Sequence, residues 1–246
     1  MRQTSIVIAL LLSLSSFGQT AKEIIQKVDE LQRGESSYIE MTIITERPKW
    51  SREMSMKSWS KGTDLGLVLI TSPAKYRGTV MLKRGKEVWN WIPSIERSIK
   101  LPPSMMMQSW MGTDFTNDDL VRQSSIVEDY THKIVGDSLI EGRNCKKIIL
   151  IPKEDAPVVW GEVRLWIDIQ DYLQLKAEFY DEDGYLINVM NSSDVKEFGG
   201  RKLPTRMEMI PVEKEGQKTI LVTNLAKFDI PVEEQFFSTQ NMRKVQ

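Results

Sequence analysis

From Ser37 onward the apolar residues recur every second position, and this alternation constrains the fold more than any other feature of the chain. Ile39, Met41 and Ile43 alternate with Glu40 and Thr42. Val163, Leu165 and Ile167 alternate with Glu162, Arg164 and Asp168, and Leu173, Leu175, Ala177 and Phe179 with Gln174, Lys176 and Glu178. Side chains on a strand point alternately to opposite faces, so each segment has one apolar and one mostly polar face. Turn signals punctuate the series at Lys61-Gly62, Arg84-Gly85, Glu141-Gly142, Asp183-Gly184, Gly199-Gly200 and Glu215-Gly216. About eleven strand-like segments joined by short turns predict one antiparallel sheet, strongly curved or rolled towards a barrel.

Before the alternation begins, the pattern differs twice. Arg2 precedes an almost uncharged run from Ser5 to Phe17, followed by the small residues Ser16 and Gly18 around a cleavage position. A run of about 13 apolar residues is short of the roughly 20 that span a bilayer. Residues 1–18 therefore read as a cleaved secretory signal, and 19–246 as a single mature domain in the periplasm of a Gram-negative envelope. Next, Thr20 with Glu23 forms a capping box, Ile24, Val28 and Leu31 share one helical face, and Gly34 is a stop. One amphipathic helix laid on the sheet is expected there.

Composition narrows the function. The chain has 33 basic and 34 acidic residues, a net charge of −1, or −2 without Arg2. That balance argues against nucleic acid as a partner and against broad attraction to anionic membranes. Cys145 is the sole cysteine, so no internal disulfide can form, and a small buried hydrophobe is the reading it receives. His132 is the sole histidine and has no partner motif, so neither a triad nor a zinc site can be assembled. No Gly-x-Ser-x-Gly elbow or phosphate-cradling glycine loop occurs. Asp181-Glu182-Asp183-Gly184 opens like a calcium loop but lacks the closing glutamate, and a charged hairpin turn accounts for it better. No catalytic residue, metal or cofactor is expected, and the chain does not read as an enzyme.

The unusual feature is an apolar surplus. Trp89 and Trp91 share one strand face while Val88 and Ile92 occupy the other, and Leu65, Leu67 and Leu69 alternate with Val68 and Ile70. Two apolar faces need two layers to cover them. One would be core beneath the helix; the other needs a lid, a partner or a ligand. Between Pro102 and Tyr130 the alternation stops, and four methionines, Met105, Met106, Met107 and Met111, fall within seven residues around Trp110. Thr116 and Asp119 make a second capping box for a short helix. Residue by residue, such clusters are more often ordinary core than pocket. A concentration of methionine also suits a lid that re-packs around variable apolar shapes. The candidate cavity and lid residues are Leu67, Leu69, Trp89, Trp91, Met105, Met106, Trp110, Met111 and Phe115. Trp89 and Trp91 are placed on the pocket wall, and Val88 and Ile92 in the other layer, although the pattern alone does not decide which face is concave.

These residues also carry a family likeness. Asp64-Leu65, Pro73, Arg77-Gly78, the run Glu87 to Pro93, Arg97, Leu101, Met111-Gly112-Thr113-Asp114-Phe115 and Asp118-Asp119-Leu120 follow one another in an order that resembles the LolA-like superfamily. The likeness is to its outer-membrane lipoprotein-sorting branch, and the hairpins from Tyr130 to Pro211 extend it over most of the mature chain. It implies an incomplete antiparallel β-barrel wrapped round a helical lid or plug. It also implies a monomeric carrier that takes lipoprotein acyl chains, or another lipid, between membranes. The donor or acceptor would be a membrane protein, a transporter or export pump. A basic residue at the cavity mouth is implied too, with Arg52 and Arg77 as candidates. Two other readings compete: a lipid-responsive envelope sensor or adaptor that binds a protein partner, and an outer-membrane barrel, which the opening helix and the non-aromatic end from Arg243 to Gln246 disfavour.

Overall fold

A computed structural model describes residues 19–121, 125–154 and 156–245; the expected signal peptide, 1–18, lies outside them. The chain opens with helix α1 (Ala21–Arg33), and both sequence signals at its ends are realised. The Thr20 hydroxyl accepts from the Glu23 backbone N–H at 3.3 Å, and the Glu23 carboxylate accepts from the Thr20 N–H at 2.7 Å. Gly34 ends the helix with φ +66°, a conformation that costs a residue without Cβ little. Ala21, Ile24, Ile25 and Val28 are buried against the sheet. Thr20→Ala is expected to cost about 1 kcal/mol, read as a small fall in the urea midpoint with an unchanged slope.

The rest is one antiparallel sheet of thirteen strands: β1 (Ser36–Arg47), β2 (Trp50–Lys61), β3 (Leu65–Ser72), β4 (Val80–Arg84), β5 (Glu87–Ile92), β6 (Arg97–Leu101), β7 (Tyr130–Ile140), β8 (Arg143–Pro152), β9 (Glu162–Asp168), β10 (Leu173–Tyr180), β11 (Leu186–Phe198), β12 (Arg201–Pro211) and β13 (Lys218–Phe228). The count exceeds the expected eleven because short strands such as β6, with only Ile99 and Leu101 apolar, carry too little alternation to be read. The order across the sheet runs β6 to β1, then β13 back to β7. Each strand thus pairs with its chain neighbour, and β1 with β13 joins the two halves. The free edges are β6 and β7. Residues 102–129, which connect them, include a short helix α2 (Asn117–Val121) started by the Thr116–Asp119 capping box, with bonds of 2.7 and 3.1 Å. The segment that breaks the alternation is therefore the one that bridges the gap in the barrel.

The larger core lies on the concave face, where α1, the 102–129 segment and inward side chains of both halves meet. Ile43, Met54, Met56, Ile70, Ile148, Leu150 and Ile167 are buried there. A second cluster occupies the opposite face of β3 and β4: Leu67, Leu69, Val80 and Leu82 pack with Phe237 and Met242, flanked by Trp59, Trp89 and Trp91. What covers this face is the C-terminal segment after β13. The Ser36 hydroxyl donates to Ile230 O at 2.7 Å, Lys61 Nζ donates to Val232 O at 3.0 Å, and Trp59 and Phe236 rings lie 5.2–5.4 Å from their aromatic neighbours. The lid and α1 share one face, and the second apolar face is sealed by the chain itself. A smaller outer cluster joins Cys145, Trp166, Leu173 and Leu175, which places Cys145 as the buried hydrophobe expected. Among the described residues no helix is long and apolar enough to cross a membrane.

Candidate functional site

The concave face encloses a cavity of about 330 Å³. Its walls come from β1 to β4 and from β9 to β13, and its roof is α2, the residues just before it and Ile126. The alternation explains the apolar part. Met41, Val68, Met81, Leu165, Met190, Met207, Met209 and Leu221 all stand on the inward side of their strands. Phe115, Leu120 and Val121 descend from the roof, and the Trp160 ring packs tilted against Phe179, at 5.2 Å and 46°. Five wall methionines thus surround the space, each an unbranched and polarizable side chain able to follow an irregular ligand.

The lid is a self-bonded loop rather than a loose one. Trp110 N–H donates to Phe115 O at 2.8 Å, Thr113 N–H to Trp110 O at 3.0 Å, Asn117 N–H to Gln108 O at 2.9 Å, and Asn117 Nδ2 to Met105 O at 2.8 Å. Trp110 Nε1 reaches Met81 Sδ at 2.8 Å and so ties the lid to the sheet wall. Met111 (φ +49°) and Gly112 (φ +78°) turn the chain through the left-handed region.

At one end the lid is pinned by an ion pair. Arg47, the last residue of β1, meets the Asp114 carboxylate in two bonds of 2.9 and 3.0 Å and also donates to Gly112 O at 3.0 Å. Asp114 accepts in addition from Thr219 Oγ1 at 2.7 Å. The Arg47 and Asp114 side chains are only 11 % and 5 % exposed, so the pair is nearly dry. Arg52 donates to Met111 O beside it and lies over both Trp50 and Tyr76 at 5.7 Å. The stretch Met111 to Phe115 is thereby explained: a left-handed turn, a carboxylate that pairs with Arg47, and an aromatic that enters the core.

The expected site residues divide. Met106, Trp110, Met111 and Phe115 pack into the concave core; Met105 is partly buried above them, and Met107 is exposed. Trp89 and Trp91 were expected on the pocket wall with Val88 in the other layer, and the packing is the reverse. Val88 joins the concave core, whereas Trp89 and Trp91 lie with Phe237 and Met242 on the far side; Leu67 and Leu69 pack there too, although Leu67 also borders the cavity. Arg77 does not reach the lid but donates to Thr71 O at 3.0 Å. Sequence reasoning missed Arg47 and the wall methionines, although Met190, Met207 and Met209 stand at inward positions of alternating strands.

The titratable groups offer little chemistry. His132 Nε2 meets Ile126 O at 2.6 Å, and burial lowers its pKa. Burial pushes the Asp119 carboxyl up to about 6, against the bonds from Thr116 that pull it down. Asp181 Oδ1 accepts from the N–H groups of Asp183 and Tyr185, so the acidic run is a hairpin turn. Among the described residues no cluster of His, Cys, Asp and Glu could hold a metal.

This fold recurs in solved structures. A domain described as an outer membrane lipoprotein-sorting protein from Vibrio parahaemolyticus superposes with a TM-score of 0.81 at 23% identity, covering 91% of this chain and 98% of that one. A DUF1329 family protein from Desulfovibrio piger gives 0.82 at 21% identity, covering 90% and 97%. A LolA superfamily protein from Nitrosomonas europaea gives 0.79 at 25% identity, covering 91% and 100%. No curated protein matches the sequence. A family model with the description "uncharacterized protein" matches residues 62–244, most of the chain. The chain belongs to that family, and its open barrel has the fold of these LolA-like and lipoprotein-sorting structures.

Proposed function

We propose that this protein is a periplasmic carrier that holds an acyl chain of a lipoprotein or another lipid in the concave cavity and passes it between membranes. The observation that carries the reading is the methionine-lined cavity under a lid that bridges the barrel's two free edges. Each methylene moved from water into such a space contributes about 0.8 kcal/mol, enough for a partial chain to bind usefully. The likeness of fold to LolA-like and lipoprotein-sorting structures supports the same reading, and a membrane protein, a transporter or export pump, would supply or accept the cargo. Met106, Trp110, Met111 and Phe115 are the lid residues we assign to the ligand site, with Met105 beside them.

A carrier must also release its cargo. Trp110, 2 % exposed, and Met106, 4 % exposed, pack behind the cavity wall rather than lining it, Trp110 through its bond to the wall residue Met81. A ligand that reaches past the wall has to displace this packing, which subtracts from net affinity. Trp110→Ala and Met106→Ala are expected to bind an acyl probe about tenfold more tightly and release it more slowly, since the probe fills the space the side chain leaves. Fluorescent fatty-acyl titration beside thermal melts measures both. Affinity falling in step with melting temperature would make the segment plain core.

A further inference from the structure

We propose that the cavity takes one acyl chain at a time, tail first, through a portal at Gly66, and holds its uncharged or zwitterionic polar head beneath the end of α1; this rests on the acyl-binding reading above. The two ends of the cavity differ. Towards the lid's ion pair, successive inward rows are Met41 beside Met56, Ile43 beside Met54, then Thr45 beside Arg52, and Ile43, Met54 and Thr45 are fully buried. That end is closed. Towards α1, the inward row across four strands is Ser37, Ser60, Gly66 and Lys83, paired in register in that order. The two serine hydroxyls bond each other at 2.7 Å, and Ser58 stands one inward row further along β2.

Gly66 is the gap in this row. Its backbone is not in the left-handed region, and a Cβ built there meets nothing nearer than Lys83 Cβ at 3.7 Å. Turn geometry therefore does not call for glycine here. A glycine inside a strand forfeits packing and ordering free energy, and close approach of another molecule is a recognised reason for one. Above the row, Asp29 and Arg33 of α1 pair at 2.7 Å and line the same cavity. Both signs of charge and several hydroxyls suit a hydrogen-bonding head without net charge better than a bare carboxylate.

Volume sets the number of chains. At about 330 Å³ the cavity lies at the small end of ligand pockets, which run from about 300 to 1,000 Å³. One medium-length chain fills it. A second chain fits only if the lid with its Asp114 pair is displaced.

The test uses the delipidated mature chain and its Gly66→Leu variant, titrated with a twelve-carbon monoacylglycerol, the matching lysophosphatidylethanolamine, and the two-chain phosphatidylethanolamine in vesicles. The two single-chain probes should bind the wild type at least about tenfold more tightly than the two-chain lipid. Gly66→Leu should lose single-chain binding by about a hundredfold, while its melting temperature is unchanged or raised. Equal binding of the two-chain lipid, or normal single-chain binding by Gly66→Leu, would overturn the single-chain portal and leave the carrier reading intact. Binding of no probe by the wild type would overturn both.

Discussion

An Asp114→Ala variant is expected to free the lid without unfolding the barrel. The substitution leaves the Arg47 guanidinium in a nearly dry position without its carboxylate and removes the acceptor of Thr219 Oγ1. Breaking one side of a buried pair costs about 3–5 kcal/mol, much of it the penalty on the charge left behind. The cost falls on the closed lid because Asp114 is a lid residue, whereas Arg47 and Thr219 belong to β1 and β13. With the lid open Arg47 keeps its bonds to the carbonyls of Glu46 and Lys218, which do not balance its charge. Amide exchange at Trp110, Thr113 and Asn117 should quicken by two orders of magnitude or more, with the strand amides of β8 and β9 little changed. Lid amides exchanging at wild-type rates would show that the pair does not hold the lid.

The second large effect lies on the opposite face of the sheet. Phe237 is fully buried among Leu67, Leu69, Val80 and Leu82, and Phe237→Ala should cost about 3–5 kcal/mol. For a domain of this size that is a fall in melting temperature of roughly 10 °C. A loosened C-terminal segment would uncover Trp89, Trp91 and the leucines beneath, an apolar patch that invites association. Acyl affinity, by contrast, should stay at the wild-type value, because the wall methionines face the other way. Trp89→Ala and Trp91→Ala should behave likewise, with stability lost and binding kept. Lost binding at kept stability would return those tryptophans to the ligand site.

Much of the architecture can be read from residues because period two is a strong signal wherever one face is buried. Ile39, Met41 and Ile43 on β1, and Val163, Leu165 and Ile167 on β9, face inward together as their spacing demands. The capping boxes at Thr20 and Thr116 are legible for a different reason: each needs only two residues three apart. The choice of concave face is not legible. Trp89 and Val88 differ in size but not in the evenness of their alternation, and what assigns them to layers is a C-terminal segment with no periodicity of its own. Phe236, Phe237 and Met242 lie near three-residue helical turns that leave no pattern in the sequence. Arg47 escapes notice because its partner stands 67 positions away. The methionine cluster of the lid is not where the cavity's methionines stand: Met107 is 58 % exposed, and the cavity is lined by five methionines spread over four strands.

The carrier reading meets its most direct test in native mass spectrometry of the chain expressed in a Gram-negative periplasm and purified without detergent, followed by lipid extraction. A co-purifying acylated species is expected, present in Trp89→Ala protein that still folds and absent from Gly66→Leu. A folded protein that emerges empty and takes up no added lipid would contradict the carrier reading.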